Sequence, residues 1–377
     1  MVGAAKLLIF DQHDSNMRYV TSLLISDQFA WFQLGDGRRA RQYVLVSTLE
    51  LSRAKQEAKQ GVKVVLMDRV DCKNIRKPIG RRKNLADYAA SILLSYNITE
   101  VQVPENTWAV HLETLREHGL RVKLVSPFFP GRVTKTQAEI AAIKQAGLVA
   151  KKAFSRCLDI LRKSSIDWND KLISGGKALT SEMLKAEIDR IFLEHGCTGE
   201  GTIVSCGEQS AQPHNTGSGL LYAGQPIVFD IFPRDTKTGY YFDMTRTVIK
   251  GTPSRELRRH YTAVQKAQLA GLAAIKPGRK ASEVHAACEE VFKRLGYKTT
   301  EDEGFIHSTG HGVGLDIHER PGIGPKSDEL LTPGMVITIE PGLYYKELGG
   351  VRIEDAVVVT TRGYVNLTNV PKTLILK

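Results

Sequence analysis

Apolar residues bunch into short runs over the first third of the chain. KLLIF (6–10), YVLVS (43–47), KVVLM (63–67), EVQVP (100–104) and VKLVS (122–126) each have the length and composition of one strand. Between them, LELSRAKQEAKQ (49–60) and NLADYAASILLSY (84–96) have helical spacing. This alternation predicts a compact α/β domain. PFFPGRV (127–133), with two prolines and a glycine, marks its end, so domains are expected over 1–133 and 134–377.

The second part opens on a long helical pattern, TKTQAEIAAIKQAGLVAKKAFSRCLDILRK (134–163), with Thr134 or Thr136 as N-cap. LTSEMLKAEIDRIFLEHG (179–196) has a Thr/Ser–Glu start and a glycine stop. SRELRRHYTAVQKAQLAGLAAI (254–275) and ASEVHAACEEVFKRLG (281–296) predict two further helices. Two stretches read strand, turn, strand: 225–249, turning at DTKTG, and 335–360, turning at ELGG. Each hairpin carries an acid on both arms, Asp230 with Asp243 and Glu340 with Glu354, which predicts two related halves facing each other.

Strand alternation puts Glu340 on the face of Thr338, Arg352 on that of Glu354, and Asp243 on that of Thr245 and Thr247. All four acids sit among apolar residues, where an unpaired carboxylate is costly. Arg246 and Arg352 could neutralise two of them. Four converging carboxylates need roughly four positive charges, which two divalent cations supply. A neutral imidazole would complete such an oxygen-rich site. Spacing alone leaves a metal site and a salt-bridged core both open.

The candidate imidazoles lie in HSTGHGVGLDIHERPG (307–322), which holds three of the ten histidines among four glycines. This run is a poor helix, which argues against a helical HExxH pair. SCGEQSAQPHN (205–215) is a Gly/Ser-rich loop that lacks the GK[ST] ending of a phosphate-binding loop.

Composition narrows the classes. With 42% apolar and 25% charged residues in 377, the chain reads as globular. Its apolar runs are far shorter than the roughly 20 residues of a membrane span, and no signal peptide is visible, so a cytoplasmic protein is expected. Five scattered cysteines with no CxxC predict free thiols. Of the net charge of +11, residues 1–133 carry +7, from twenty bases against thirteen acids. KNIRKPIGRRK (73–83) alone has six bases. Without an RNA-recognition or zinc-finger pattern, nucleic acid is not the expected partner.

Asp-x12-Asp followed by TRT, then HSTGHGVGLDIHE, TIEPG and GVRIED, resembles the M24 metallopeptidases of the pita-bread fold. The likeness is to the Xaa-Pro aminopeptidase and prolidase branch, and it covers essentially all of 134–377. The Asp–Asp interval is a residue or two longer than usual, which DTKTG is expected to absorb at the hairpin tip. The resemblance implies a creatinase-type α/β amino-terminal domain, on the weaker motif DSNMRYVTSLLISD (14–27), before an α+β pita-bread catalytic domain. It implies metal ligation by Asp230, Asp243, His311, Glu340 and Glu354, with two divalent ions, Mn2+ first and Co2+, Zn2+ or Fe2+ as alternatives. The glycines beside His311 would let backbone approach the metals.

The implied reaction is hydrolysis of the bond before proline by a metal-bridging hydroxide, in a homodimer. Glu340 would act as general base, His318 would steady the oxyanion, His307 and His214 would hold substrate, and Arg352 would orient a carboxylate. His13, His111, His118, His195, His260 and His285 are read as structural. Two alternatives are another M24 chemistry on a C–N or C–S bond, and a non-catalytic binding module.

Overall fold

The computed structural model describes residues 5–37, 40–77 and 80–377, which form two compact units, Met1–Arg132 and Val133–Lys377. Pro78 and Ile79 of the basic segment 73–83 lie outside the described residues. None of the helices described is long and apolar enough to cross a membrane.

The first unit is built on a six-stranded sheet in the order Val62–Leu66, Arg41–Val46, Phe29–Leu34, Ala5–Phe10, Glu100–Pro104, Arg121–Val125. Phe29–Leu34 pairs antiparallel with both neighbours, while the outer pairings are parallel. This strand escapes the sequence reading for a physical reason. FAWFQL is buried on both faces, so no alternation marks it, and its three aromatics are the one compositional signal. Its side chains divide between two cores. Ala30 and Phe32 pack towards helix Leu85–Ser95, and Phe29 and Trp31 pack with Met17, Val44 and Ala54.

Helix Leu85–Ser95 shows how the basic segment is used. Asn84 caps it through its side chain, and Asp87 accepts in return from the Asn84 N–H (2.7 Å). Asp87 has no exposed side-chain surface, yet it is fully partnered. It accepts from both Arg81 nitrogens (2.6 and 3.1 Å) and from His118 Nε2 (2.7 Å). Burial works against the Asp87 carboxylate, but the hydrogen bonds from Arg81, the Asn84 backbone and His118 outweigh it and hold its pKa below the ordinary value.

In the second unit, helix Gln137–Lys163, with Thr136 as N-cap, packs against Ser181–Glu194, and Arg255–Ala274 packs against Ala281–Arg294. The first pair shares a core with Ile227, Phe229, Ile231 and Val248 of the sheet Ile203–Cys206, Ile227–Ile231, Met244–Lys250, Ile375–Leu376. The second pair packs on Ile337, Ile339, Val357 and Val359 of the sheet Glu319–Ile323, Gly310–Gly312, Val336–Ile339, Asp355–Thr360, Gly363–Asn366. Each helix pair therefore covers one sheet.

Stretch 225–249 pairs as expected, Ile227–Ile231 against Met244–Lys250, but the second hairpin does not. Stretch 335–360 is not one ribbon. Val336–Ile339 pairs with Asp355–Thr360, and Gly342–Tyr345 pairs separately with Gly349–Arg352. Glu340 and Glu354 occupy the two breaks, and Asp243 lies just before strand Met244–Lys250. Of the four acids, only Asp230 sits inside a paired strand.

Asp87→Ala would strip the cap of its return bond and take hydrogen-bond partners from the buried His118 and from Arg81, which keeps Glu117, at a cost of roughly 1–3 kcal/mol. Because the folded pKa lies below the unfolded one, this contribution is present above about pH 4 and drains away as pH falls through the folded value. Urea unfolding of wild type at pH 7 and pH 3, beside the variant, checks both statements: the variant's loss shrinks at the lower pH.

Candidate metal centre

All nine residues singled out in the sequence line one cavity of about 560 Å3: Asp230, Asp243, Glu340, Glu354, His214, His307, His311, His318 and Arg352. Gly201, Ile203, Pro213, Thr216, Phe232, Ser308 and Ile317 complete its wall.

His311 sits in the middle of strand Gly310–Gly312, and its backbone N–H donates to Thr338 Oγ1 (3.1 Å). The flanking glycines are also required by packing. A Cβ on Gly310 would overlap the Thr338 carbonyl, and one on Gly312 the Arg320 carbonyl. They let this strand lie tightly against its neighbours, and that contact sets the height of the imidazole in the cavity. His311 Nδ1 lies 3.1 Å from the Gly312 carbonyl and donates to it, which turns Nε2 towards Glu340 Oε1 (3.3 Å) and Asp243 Oδ2 (3.6 Å).

Thr245 exposes the shortage of positive charge. Its hydroxyl lies 3.0 Å from Asp230 Oδ1 and 2.8 Å from Glu354 Oε2, and it accepts from Arg352 Nε (3.2 Å). One hydroxyl has one hydrogen, so it can donate to only one of the two carboxylates. Asp243 (4% exposed) and Glu354 (1% exposed) each also hold a buried oxygen with no hydrogen-bond partner, Oδ1 and Oε1 respectively. Burial, and then the neighbouring carboxylates, push both acids well above the ordinary range. For His311, burial disfavours the imidazolium, but the hydrogen bond and charge of Glu340 and the charge of Glu354 prevail, raising it to about 9. Burial likewise opposes the Glu340 carboxylate, and His311 overrides it, lowering Glu340 to about 2.

The cations assigned from sequence divide differently from the expectation. Arg352 Nη2 binds Asp230 Oδ2 (2.8 Å) and reaches Glu354 only through Thr245. Arg246 serves none of the four acids. It pairs with Asp355 (2.7 Å) and donates to the Glu354 backbone carbonyl, which fixes that residue from behind. One guanidinium among four carboxylates leaves the cluster short of cation.

These donors fit a divalent metal. Ligand atoms of Asp243, His311 and Glu354 lie within 4.8 Å of one another, with unsatisfied carboxylate oxygens and an imidazole nitrogen turned inward. Asp230 and Glu340 flank this trio, through Thr245 and through His311.

The remaining histidines are not equivalent. His318 stacks edge-on against His311, with centroids 4.3 Å apart; burial and then the His311 charge lower its pKa. His307 is lowered chiefly by burial. Its Nδ1 donates to the Ser308 carbonyl (2.7 Å), and its Nε2 accepts from the Tyr344 hydroxyl (2.9 Å), which itself accepts from Arg352 Nη1 (2.8 Å). Both ring nitrogens are thus engaged. His214 lies exposed on the loop after Gly207–Ala211.

Tyr344 is the residue that sequence reasoning missed. The register Gly342↔Arg352 puts residues 342, 344 and 352 on one face, and Gly342 has no side chain there because a Cβ would collide with the Tyr344 ring. The pattern G-x-Y opposite an arginine was the available signal, but only once the pairing is known.

Fold and cavity together define a metallohydrolase-type centre, and the comparisons with known proteins agree. The chain belongs to metallopeptidase family M24, whose model matches residues 141–361. It is 36% identical over 247 residues to the Xaa-Pro dipeptidase of Pyrococcus furiosus, covering 65% of each chain, so the match spans just under two-thirds of that relative. It is 28% identical over 370 residues to the Xaa-Pro dipeptidase of Lactobacillus delbrueckii subsp. lactis, covering 96% of this chain and 92% of that one. The solved Xaa-Pro dipeptidase from Bacillus anthracis superposes with a TM-score of 0.80 at 28% identity, over 100% of this chain and 95% of that one. An amino-terminal α/β domain preceding a pita-bread domain is therefore the architecture of this chain.

Asp243→Asn puts a neutral group where burial and the neighbouring carboxylates disfavour a charged one. The metal-free variant is expected to melt a few degrees higher than metal-free wild type, about 1 kcal/mol, and to lose most of the rise in Tm that Mn2+ gives wild type. Thermal melts with and without Mn2+ test both directions.

Proposed function

We propose that the chain is an Xaa-Pro dipeptidase that works with two divalent cations, Mn2+ foremost, held by Asp230, Asp243, His311, Glu340 and Glu354. The observation that carries the reading is the buried carboxylate cluster, with oxygens that find no partner among the described residues, at the base of a cavity open to small ligands. Such a pair of ions, when bound, supplies Lewis acidity and lowers the pKa of water to near neutrality. The substrate class follows the names of the relatives, Xaa-Pro dipeptidases, and the wall of Ile203, Pro213, Phe232 and Ile317 offers apolar surface to a pyrrolidine ring. The family resemblance extends the reading to a homodimer.

The chain's own residues divide the work. Glu340 faces the cavity and is the group to take the proton from attacking water and return it to the leaving amine. His318, against His311, is placed to donate to the developing oxyanion. His214, exposed on the wall, meets the substrate. His307, also on the wall, holds substrate together with His214, and its hydrogen bond to Tyr344 links it through Arg352 to Asp230.

The test is hydrolysis of Xaa-Pro dipeptides and Xaa-Pro-Yaa tripeptides by protein stripped of metal and resupplied with Mn2+, Co2+ or Zn2+. Cleavage of dipeptides that returns with metal is expected. Glu340→Gln is expected to lower kcat by about 10²–10⁴-fold with the fold retained. Cleavage of tripeptides alone would make the enzyme an aminopeptidase, and turnover near wild type in Glu340→Gln would remove its assigned role.

A further inference from the structure

A second cavity, of about 320 Å3, lies outside the acidic centre, and its charge is the reverse. Arg255, Arg258, Arg259, Thr262 and Lys266 recur at three- and four-residue steps and form one stripe along helix Arg255–Ala274. The wall is completed by Ala263, which is buried, and by Leu295 and Tyr297, which follow helix Ala281–Arg294.

The four cations crowd one helix face. Arg156, Arg190, Lys293 and Arg294 on the surrounding helices all lie against a glutamate. Among the described residues, Arg255, Arg258, Arg259 and Lys266 have no carboxylate partner, although their crowding raises the local potential. Arg259 and Tyr297 line the same cavity. Tyr297 is braced from behind by His260 (5.0 Å) and Phe292 (6.3 Å) and stays half-buried.

This combination selects a ligand. Guanidinium forks match phosphate oxygens in pairs, and four unpaired cations call for about three or four negative charges in a compact group. The apolar side formed by Ala263, Leu295 and the Tyr297 ring calls for an uncharged planar or apolar moiety joined to it. A zwitterionic dipeptide has neither the charge nor the size. We propose that this cavity binds a nucleoside polyphosphate, with the phosphates on Arg255, Arg258, Arg259 and Lys266 and the base against Tyr297 and Leu295. The volume lies at the lower end of the range for small-molecule sites, which fits one nucleotide and disfavours a polymer.

The test uses the full chain, metal-loaded, in calorimetric titrations at physiological salt with ATP, adenosine and tripolyphosphate. ATP is expected to bind with Kd below about 100 µM, tripolyphosphate several-fold more weakly, and adenosine not measurably. R258E/R259E is expected to weaken ATP binding more than tenfold with Xaa-Pro hydrolysis unchanged. R258Q/R259Q serves if the charge-reversed protein melts early. Tyr297→Ala should weaken ATP but leave tripolyphosphate unaffected. Four results would overturn the proposal: no ATP binding, ATP binding indifferent to Arg258 and Arg259, tripolyphosphate binding as tightly as ATP, or single-stranded RNA held by these arginines while ATP is not. None of these results bears on peptide hydrolysis, so the two readings stand or fall separately.

Discussion

The structure turns on an unbalanced charge. Asp230, Asp243, Glu340 and Glu354 face one cavity, and a single guanidinium, that of Arg352, is bonded among them. Two like charges about 4 Å apart repel by roughly 4 kcal/mol at an effective dielectric near 20. A protein core holds such a group only if something else carries the compensating charge. In the bare protein a proton does so in part: His311 is held charged, and Asp243 and Glu354 are pushed towards their neutral forms. A dication held by the candidate site would take over that work and displace the protons.

The scaffold around the cluster keeps it from relaxing. Glu340 and Glu354 project from breaks in the ladder, where backbone turns inward without giving up strand pairing on either side. Their main chains are still tied down: the Glu340 N–H donates to Thr309 and the Glu354 N–H to Thr245. Behind Glu354, the buried Arg246–Asp355 pair is joined by Lys372 and Asn366, so the chain's last segment braces a ligand position. On the other side, the relay from Arg352 through Tyr344 to His307 fixes Asp230. Such pre-organisation holds carboxylates in place before the cation arrives.

The second unit also shows the opposite arrangement. Its basic cavity leaves cations unpaired at the surface, where water screens them and the energetic penalty is small. The acidic cluster is buried, so its imbalance is large; protons meet it in part in the bare protein, and a bound ion would meet it more fully. Depth, more than the number of charges, separates the two cases.

Much of this was legible in the sequence. Thr136 and the Thr/Ser–Glu start at Thr180 announced their helices because capping is local chemistry. The acids, and the histidines among glycines, could be singled out because their residue types and spacing are themselves the chemistry. Strand Phe29–Leu34 stayed hidden, since burial on both faces erases the alternation that marks a strand. Local pattern also could not show that the second hairpin breaks at Glu340 and Glu354, that Arg246 turns to Asp355, or that Tyr344 closes the relay between Arg352 and His307. Those facts depend on register and on partners from 8 to 109 residues away along the chain. Sequence determined which groups are available; only tertiary packing decided which of them meet, because distance in space is set by the whole fold.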